Sequence, residues 1–363
     1  MNFNNIFENK TILITGHTGF KGSWLSLWLS SLGANVIGIS DNIPTSPSNF
    51  SILKLDKVVT DIRADICNIE LISKVISEQK PDFIFHMAAQ ALVRKSYDDP
   101  ISTIRTNTLG TASLLESIRK SDVDKKLVVS LITSDKVYEN NEWERGYRED
   151  DKLGGHDPYS SSKSAAEMII SSYFKSFFNH SDKDIRFSIV RAGNVIGGGD
   201  WAEERLVPDS VRATAIGKSV ELRNPNSTRP WQHVLEPLGG YLLLASKSYI
   251  DESFNFEAFN FGPNNSSYNK TVLELIDELS VTWPSITSIE KALGTNKKEA
   301  NLLQLSCDKA EKFLNWTAVL NFHETCEFTA SWYKNFYTKK DFNLMQFTLH
   351  QIKMYSDLSS KKW

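Results

Sequence analysis

The first half of the sequence alternates between short apolar runs, which are typical of buried strands, and longer segments with helical periodicity. Strands are predicted at 11–15, 35–40, 81–86, 126–132 and 185–190, and helices at 21–32, 69–79, 100–120 and 159–178. Alternation of this kind indicates a parallel sheet that is covered by helices on both faces and joined by right-handed crossovers. We therefore predict an α/β fold of the Rossmann type, doubly wound around a parallel sheet.

The periodic pattern changes after Gly193, where the chain is predicted to be loop with short helices as far as about Pro230. The remaining periodic segments are a helix at 236–247, a strand at 258–261 and helices at 271–278 and 322–337. The helix and strand near 236–261 are expected to rejoin the sheet. The predicted parts are a sheet domain of residues 1–192 completed by 234–262, a smaller lobe of residues 193–233 and 263–340, and a frayed C-terminal tail of residues 341–363.

Composition excludes several classes of protein. Of the 363 residues, 40% are hydrophobic and 23% are charged, with a net charge of only -3, which excludes a disordered chain and a broad basic surface for nucleic acid. No apolar run approaches the ~20 residues that cross a bilayer, and no targeting signal is found, so we predict a cytoplasmic protein without a membrane partner. Cys67, Cys307 and Cys326 lie far apart and the seven histidines are scattered, so neither a disulfide framework nor a metal site is predicted.

A glycine-rich loop joins the first predicted strand to the first predicted helix. In this context the glycines provide a tight turn, a close approach of backbone to a pyrophosphate and close helix packing, with the phosphates at the helix N-terminus. An ordinary strand-to-helix turn is the alternative, but the position after the first strand favours dinucleotide binding. The candidate cofactor-binding residues of the loop are Gly16, His17, Thr18, Gly19, Phe20, Lys21 and Gly22.

Acidic residues after the next strands are candidates for the nucleoside end of that cofactor. Asp41 follows the second predicted strand, where an acidic side chain can bond the ribose hydroxyls of NAD and repel a 2′-phosphate. A turn beside Asn42 explains this aspartate equally well. Asp65 and Ile66 are candidates for contacts near the adenine, and a helix N-cap is an equally good explanation for Asp65.

Two short motifs carry candidate catalytic groups. Tyr159 and Lys163 are four residues apart on one predicted helical face, where the lysine can stabilise the phenolate needed to take a proton from an alcohol. A solvated helix face is the alternative. Ser134, Asp135 and Lys136 end a predicted strand, so they should face the same cleft. A dehydrogenase needs only the hydroxyl, whereas an additional acid and base suit an elimination; an exposed ion pair is the alternative for these two residues.

The order of these motifs resembles that of a known family. The glycine loop is followed by His86-Met-Ala-Ala-Gln90, Thr106-Asn107, Thr133-Ser-Asp-Lys136, Tyr159-Ser-Ser-Ser-Lys163 and Arg191-Ala-Gly-Asn194. From about residue 10 to 244, the sequence is similar to the extended short-chain dehydrogenase/reductases, specifically the nucleotide-sugar 4,6-dehydratases. The resemblance implies NAD as cofactor, a nucleotide-sugar substrate held by the second lobe, a homodimer, and cofactor contacts from Ala88, Ala89, Gln90, Asn107, Tyr159 and Lys163.

The resemblance also implies a three-step reaction on one bound NAD. Tyr159, aided by Lys163, accepts the proton of the sugar 4-hydroxyl during oxidation at C4, and Asp135 protonates the departing 6-hydroxyl before hydride returns to C6. Lys136 aligns with a glutamate that removes the C5 proton in the dTDP-glucose and GDP-mannose enzymes. Two roles remain open for this lysine: it acts either as the base or as a charge that stabilises the enolate. The rivals are a dehydratase for another nucleotide, a 4-epimerase and a catalytically silent NAD-binding scaffold.

A sugar nucleotide carries two phosphates, so its pocket should contain cations at loop positions. Arg205, Arg223 and Arg229 lie in the loop-rich region near Trp231, which is predicted either to pack in the core or to line the pocket. The resemblance implies that Arg229 and Asn194 contact the diphosphate. It further implies that the product feeds deoxysugar synthesis for a bacterial surface polysaccharide such as the O-antigen of lipopolysaccharide.

Overall fold

A parallel sheet forms the centre of the computed structural model, which describes residues 3–222, 224–263, 269–290 and 303–363. Within these ranges the sheet contains seven strands in the order β11-β6-β5-β4-β1-β2-β3. Its strands are β1 Thr11–Thr15, β2 Asn35–Ser40, β3 Thr60–Arg63, β4 Phe83–His86, β5 Leu127–Ile132, β6 Ile185–Ala192 and β11 Glu257–Phe261. Every neighbouring pair is parallel. The prediction of a doubly wound Rossmann-type fold is confirmed.

Helices cover both faces of this sheet. The helices before residue 180 are α1 Phe20–Ser31, α2 Asn49–Ile52, α3 Ile69–Gln79, α4 Val93–Asp98, α5 Pro100–Ile104, α6 Gly110–Lys120 and α7 Pro158–Tyr173. A π-helical segment, Arg105–Leu109, joins α5 to α6, so the helix predicted at 100–120 is present but locally widened. A second π segment, Phe174–Phe178, continues α7.

Alternate residues of each strand enter two separate hydrophobic cores, because successive side chains of a strand point to opposite faces. In β1, Ile12 and Ile14 pack with α1 and with the helix α9, Leu235–Ile250. Leu13, between them, packs with α3, α6 and α7. This burial on both faces explains why the strands read as continuous apolar runs rather than as alternating ones.

The sequence patterns missed several elements. β3 was not predicted, because its residues Thr-Asp-Ile-Arg include two charges and lack an apolar run. Beyond residue 193, where loop with short helices was predicted, the chain contains the helix α8, Leu206–Ala215, together with strands that were not predicted. Two-stranded pairings accompany it, formed by β7 Val195–Ile196 with β10 Gln232–His233, β9 Thr228–Pro230 with β12 Asn269–Thr271, and β8 Val220–Leu222 with β13 Ser288–Glu290.

The expectation of a frayed C-terminal tail is wrong. After α10 Val272–Thr282, α11 Asp308–Leu314 and α12 Phe322–Thr338, the chain forms α13, Leu344–Ser359. This helix buries Leu344, Ile352 and Tyr355, and the hydroxyl of Tyr355 donates to the buried Glu236 of α9 at 2.8 Å. The buried face also includes polar residues such as Gln351, which weakened its apolar pattern. Within the described ranges, no helix combines the length and apolar character required to cross a membrane.

Candidate active site

The carboxyl ends of the parallel strands bring the predicted motifs to one edge of the sheet. The glycine loop follows β1, Asp41 follows β2, the Met87–Gln90 segment follows β4, the Thr133–Lys136 segment follows β5 and Asn194 follows β6. Ligands of open α/β sheets bind at this edge, where the strand order reverses. In this sheet the reversal lies between β1 and β4.

The glycine loop contains close backbone contacts that side chains would prevent. Gly16 has a φ of +77°, and a Cβ there would lie 2.7 Å from the backbone nitrogen of Ala88. A Cβ on Gly22 would lie 2.1 Å from the carbonyl oxygen of Gly16. Gly19 is the N-cap of α1 and supplies no side-chain cap. The N-terminus of α1 therefore faces the loop with uncapped N–H groups, a cradle that fits a pyrophosphate.

Two residues of the loop anchor it to the sheet. His17 is fully buried, with its Nε2 3.0 Å from Asp61 Oδ1 of β3 and its Nδ1 3.0 Å from the Ser40 hydroxyl. Burial lowers the pKa of His17, against the opposing effect of Asp61. The hydroxyl of Thr18 donates to the carbonyl of Asn42 at 2.6 Å. Both side chains therefore hold the loop against the sheet.

Lys21 adds a positive charge to this region. The sequence analysis identified this lysine only as a residue of the glycine loop. It lies in the first turn of α1, where the helix dipole disfavours a cation. Burial lowers its pKa to about 8, and Arg205 and Lys163 act in the same direction while Asp135 opposes them. Its ammonium also lies 5.9 Å from the ring centre of Tyr241. Phe20, at the start of the same helix, is half-buried.

The residues predicted for the nucleoside end lie after β2 and β3. Asp41 is exposed, and its carboxylate accepts the backbone N–H of Asn42 at 2.8 Å. Asp65 accepts the N–H of Cys67 at 2.9 Å and pairs with Arg105 at 2.5 Å. Asp65 is not the N-cap of α3, a position that Asn68 occupies. Ile66 is buried beneath Gly110 of α6.

The segment after β4 is held by side chains from neighbouring elements. The Thr15 hydroxyl accepts the backbone N–H groups of Met87 and Ala88, both at 3.2 Å. Asn107, buried in the π segment before α6, accepts the N–H of Gln90 at 2.8 Å and donates to its carbonyl at 3.1 Å. Ala88, Ala89 and Gln90 are half-buried along this edge. Asn107 thus has a positioning contact that its motif alone did not reveal.

Ser134, Asp135 and Tyr159 form the centre of the site. Asp157 caps the N-terminus of α7 and Pro158 begins it, which places Tyr159 in the first turn. The Ser134 hydroxyl donates to Asp135 Oδ1 at 2.9 Å, and Ser134 also interacts with Tyr159 and lowers the pKa of its phenol. All three residues are buried. The exposed strand-end ion pair that we weighed for Asp135 does not match this burial.

Burial shifts the titration of these groups. It raises the pKa of Tyr159 to about 12, with the interaction with Ser134 acting in the opposite direction. It lowers the pKa of Lys163 to about 8, against the effect of Glu167. It raises the pKa of Asp135, against Lys136 and Ser134. An aspartate with a raised pKa is suited to hold a proton for a leaving group, whereas the phenol needs added positive charge to ionise.

Lys163 and Lys136 occupy different positions around this centre. Lys163 is buried on α7 with Tyr159, and its ammonium donates to the carbonyl of Ile132 at 3.4 Å. Lys136 lies in the 3₁₀ turn that begins at Asp135, is half-buried, and acts electrostatically on Asp135.

The predicted substrate residues are spread over the second lobe. Asn194 is half-buried directly after β6, and Arg205 pairs with Asp200 at 2.9 Å while acting electrostatically on Tyr159. Arg229 lies in β9, and its guanidinium donates to the carbonyl of Thr228 at 2.7 Å. Trp231 is buried, and its indole N–H donates to the carbonyl of Lys270 at 3.0 Å, which matches core packing. Arg223 lies outside the described residues.

Sequence reasoning also missed a buried hydroxyl at the floor of the site. Tyr241 of α9 is fully buried, and its hydroxyl has no hydrogen-bond partner among the described residues. It interacts electrostatically with Asp135 and Tyr159, and burial raises its pKa well above the ordinary range. Its place inside an apolar helix gave no signal in the sequence.

The fold and the site define a nucleotide-binding α/β protein of the short-chain dehydrogenase/reductase class, with a buried tyrosine and lysine on one helix and an acid beside them. The family model for GDP-mannose 4,6 dehydratase matches residues 13–329. The chain belongs to this family of enzymes, which confirms the resemblance seen in its motifs.

Known proteins match over nearly the whole chain. The CDP-glucose 4,6-dehydratase of Salmonella typhimurium is 44% identical over 333 residues, covering 91% of this chain and 92% of that protein. The dTDP-glucose 4,6-dehydratase of Haemophilus influenzae is 23% identical, covering 89% and 97%. A solved UDP-glucose 4-epimerase of Thermotoga maritima has a TM-score of 0.76 and 23% identity, covering 90% of this chain and 99% of that one. That likeness shows the shared fold.

Proposed function

We propose that the protein catalyses the NAD-dependent dehydration of CDP-D-glucose to CDP-4-dehydro-6-deoxy-D-glucose. The observation that carries this proposal is the buried grouping of Tyr159, Ser134 and Asp135, which places a dehydrogenase base beside an acid for a leaving hydroxyl. The choice of CDP-glucose among nucleotide sugars is supported by the 44% identity with the Salmonella enzyme.

The cofactor is expected to bind along the carboxyl edge of the sheet, on residues 1–192. The open cradle of Gly16, Gly19 and Gly22 at the N-terminus of α1 fits its pyrophosphate, and Asp41 is exposed where a ribose hydroxyl would be bonded. Asp65 and Ile66 are proposed to contact the adenine end, and Ala88, Ala89 and Gln90 to contact the cofactor between there and Tyr159. When bound, NAD⁺ accepts a hydride from C4 of the sugar and later returns it to C6.

Tyr159 takes the proton of the sugar 4-hydroxyl in the first step. Its raised pKa, about 12 in the protein alone, must fall for this purpose. Arg205 lowers it electrostatically, and Lys163, which is buried one helical turn along α7, is proposed to add positive charge. Ser134 orients the phenol and donates to the carboxyl group beside it.

Asp135 serves as the acid of the elimination step. Its raised pKa lets it retain a proton inside the buried site and pass it to the departing 6-hydroxyl. Lys136 follows it in the same turn and either takes the C5 proton or stabilises the enolate. A 4-epimerase would need no acid at this position.

The substrate is proposed to lie between the sheet edge and residues 193–233 and 263–340. Asn194, Arg205, Arg223 and Arg229 are proposed to bind its diphosphate, which suits the charge-assisted bonds that guanidinium groups make. Trp231 supports this region by packing rather than by contacting the base. Anion binding here depends on a few arginines, since the chain as a whole has a net charge of -3.

The test is incubation of the purified protein and NAD with CDP-, dTDP-, UDP- and GDP-hexoses, followed by alkali-induced absorbance of a 4-keto-6-deoxy sugar. CDP-glucose should give this product, and the Tyr159→Phe variant serves as the matched inactive control. If only another nucleotide hexose gave this product, the assignment of CDP-glucose as substrate would be contradicted. Formation of a different hexose without the alkali-induced absorbance would indicate an epimerase.

The protein is further proposed to form a homodimer through α4 to α7. Large apolar side chains are exposed along these helices and the π segments that extend them, namely Tyr97, Ile101, Ile104, Leu109, Met168 and Phe177. Ile101 is 73% exposed and Met168 67%. Contiguous exposed apolar surface of this kind usually marks an interface. We also propose a cytoplasmic location, supported by three unpaired cysteines, and a role in deoxysugar supply for surface polysaccharide.

A further inference from the structure

We propose that Glu167 and Arg191 are positioning residues of the reaction: Glu167 fixes Thr133 beside Ser134 and keeps Lys163 in its cationic form, while Arg191 balances its charge. This inference rests on the proposed function, because Ser134 and Lys163 act in that reaction. In this proposal both residues act through Thr133 and Lys163 and do not themselves react with the substrate or the cofactor.

The pair is built with close geometry. Glu167 lies on α7, one helical turn after Lys163, and Arg191 lies in β6. Arg191 donates from Nε to Glu167 Oε1 at 2.9 Å and from Nη2 to Oε2 at 2.5 Å. Their side chains are only 2% and 4% exposed. The Thr133 hydroxyl donates to the same Oε1 atom at 2.6 Å.

Further contacts hold Arg191 in place. Its Nη1 atom donates to the hydroxyl of Tyr138 at 2.8 Å and to the carbonyl of Glu149 at 2.9 Å. The guanidinium also lies 4.9 Å from the ring centre of Tyr138. A buried ion pair rarely stabilises a fold more than well-packed apolar residues would, because both charges lose their hydration. Its place directly behind Thr133 and Lys163 therefore points to a functional reason.

The charges around Lys163 show why Glu167 matters for the protonation of this lysine. Lys21 approaches from α1 and carries the same sign as Lys163, while His86 of β4 has a pKa lowered to about 3 by burial and is neutral. On the 3₁₀ turn packed against α7, Lys136 acts on Asp135, and Asp135 acts on Lys21 and Tyr159. Glu167 is the carboxylate that opposes the effect of burial on the pKa of Lys163.

Removing one charge of the pair should move the titration of Lys163 in a direction that depends on which charge is lost. Glu167→Gln leaves Arg191 as an uncompensated cation, so Lys163 loses its proton at lower pH. Arg191→Met leaves the carboxylate alone, so Lys163 keeps its proton to higher pH. The double variant removes both charges and should return close to the wild-type behaviour. Shifts of about one pH unit are expected for charges that lie about one helical turn apart in a buried site.

The experiment measures kcat/KM for CDP-glucose against pH, with the full-length enzyme and saturating NAD. The alkaline limb should move to lower pH in Glu167→Gln, to higher pH in Arg191→Met, and back in the double variant. Glu236→Gln is the matched control, because it removes another buried carboxylate far from Lys163 and should leave the limb unchanged. An unshifted limb in both single variants, with kcat lowered at every pH, would overturn the proposal.

A fourth variant tests the contact with Thr133. It also keeps the proposal testable if one of the charge variants fails to fold. Thr133→Val keeps both charges but removes the hydroxyl that joins Glu167 to the Ser134 segment. It should lower kcat by about tenfold or more without moving the alkaline limb, and a wild-type kcat would overturn the positioning role. If the wild-type enzyme forms no 4-keto sugar from any nucleotide hexose, the proposed function fails; an active wild type with unshifted variants overturns this inference alone.

Discussion

The carbonyl oxygen of Gly16 lies 2.1 Å from the position that a Cβ on Gly22 would occupy. The two ends of the glycine loop thus approach so closely that only glycine fits at the start of α1. This contact joins the turn after β1 to the first turn of the helix and leaves the helix N-terminus open.

Substitution of Gly22 by alanine should therefore weaken NAD binding. Relieving the clash requires the loop to move, at a cost of about 1–3 kcal/mol, which corresponds to about tenfold or more in the dissociation constant. Isothermal titration calorimetry with NAD measures the change. Gly262→Ala is a suitable control, because a Cβ there would make only ordinary contacts of 3.7–3.8 Å. Unchanged affinity in Gly22→Ala would remove the loop from the cofactor site.

Replacement of Asp135 by asparagine should separate oxidation from elimination. The amide cannot deliver the proton to the departing hydroxyl, so loss of water should slow by about 10²–10⁴-fold while Tyr159 still takes the 4-hydroxyl proton. Reduced cofactor should then accumulate, visible as its near-ultraviolet absorbance in a stopped-flow experiment. Tyr159→Phe should show no such accumulation. Turnover of Asp135→Asn at the wild-type rate would exclude an acid role.

Substitution of Lys136 by alanine tests whether this lysine acts on the C5 proton. Loss of either a base or an enolate-stabilising cation should slow exchange of the C5 hydrogen with deuterated water by about 10²-fold or more. Mass spectrometry of the product measures the deuterium incorporated at C5. Lys152→Ala is the control, since that lysine is exposed and pairs with Glu139 outside the site. Wild-type turnover and exchange would remove Lys136 from the mechanism.

The buried Glu236 should make the stability of the protein depend on pH. Its carboxylate accepts the N–H groups of Val319 and Leu320 at 2.9 and 2.7 Å, yet burial raises its pKa to about 7. A raised carboxylate pKa contributes stability that is present below the ordinary value of 4.5 and is lost as pH rises through about 7.

Glu236→Gln should accordingly be more stable than the wild type above pH 7, by up to about 3 kcal/mol, and should lose this advantage toward pH 5. The amide oxygen can still accept the two backbone N–H groups. Denaturant unfolding across this pH range measures the difference. A constant difference between variant and wild type at every pH would show that Glu236 does not titrate in this window.

The exposed apolar residues of α5 and α7 predict the assembly state. Ile101→Asp and Met168→Asp should convert a dimer to monomers, because each introduces a charge into a surface that must become dry. Light scattering coupled to size exclusion measures the mass. Ile216→Asp is the control, since Ile216 is 69% exposed but lies at the end of α8. A monomeric wild type would contradict the interface, as would dissociation in the control alone.

Much of the fold followed from local pattern, and the misses share a cause. Apart from β3, the strands from Thr11 to Ala192 were predicted within about two residues of their ends, because each of them is an apolar run buried on both faces. β3 and α13 were missed because their buried faces include polar groups such as Asp61 and Gln351, whose partners are distant in sequence. A periodicity argument cannot anticipate partners of that kind.

The sequence by itself determined the parallel α/β fold and the set of candidate catalytic groups, because motifs that follow parallel strands must meet at one edge of the sheet. The tertiary structure alone decided what each group can do there. It turned His17 and Trp231 into packing residues, brought Lys21 beside the catalytic centre and placed Glu167 and Arg191 behind it. Those roles depend on burial and on contacts between residues far apart in the chain, and burial is what shifts the charges of Tyr159, Lys163 and Asp135.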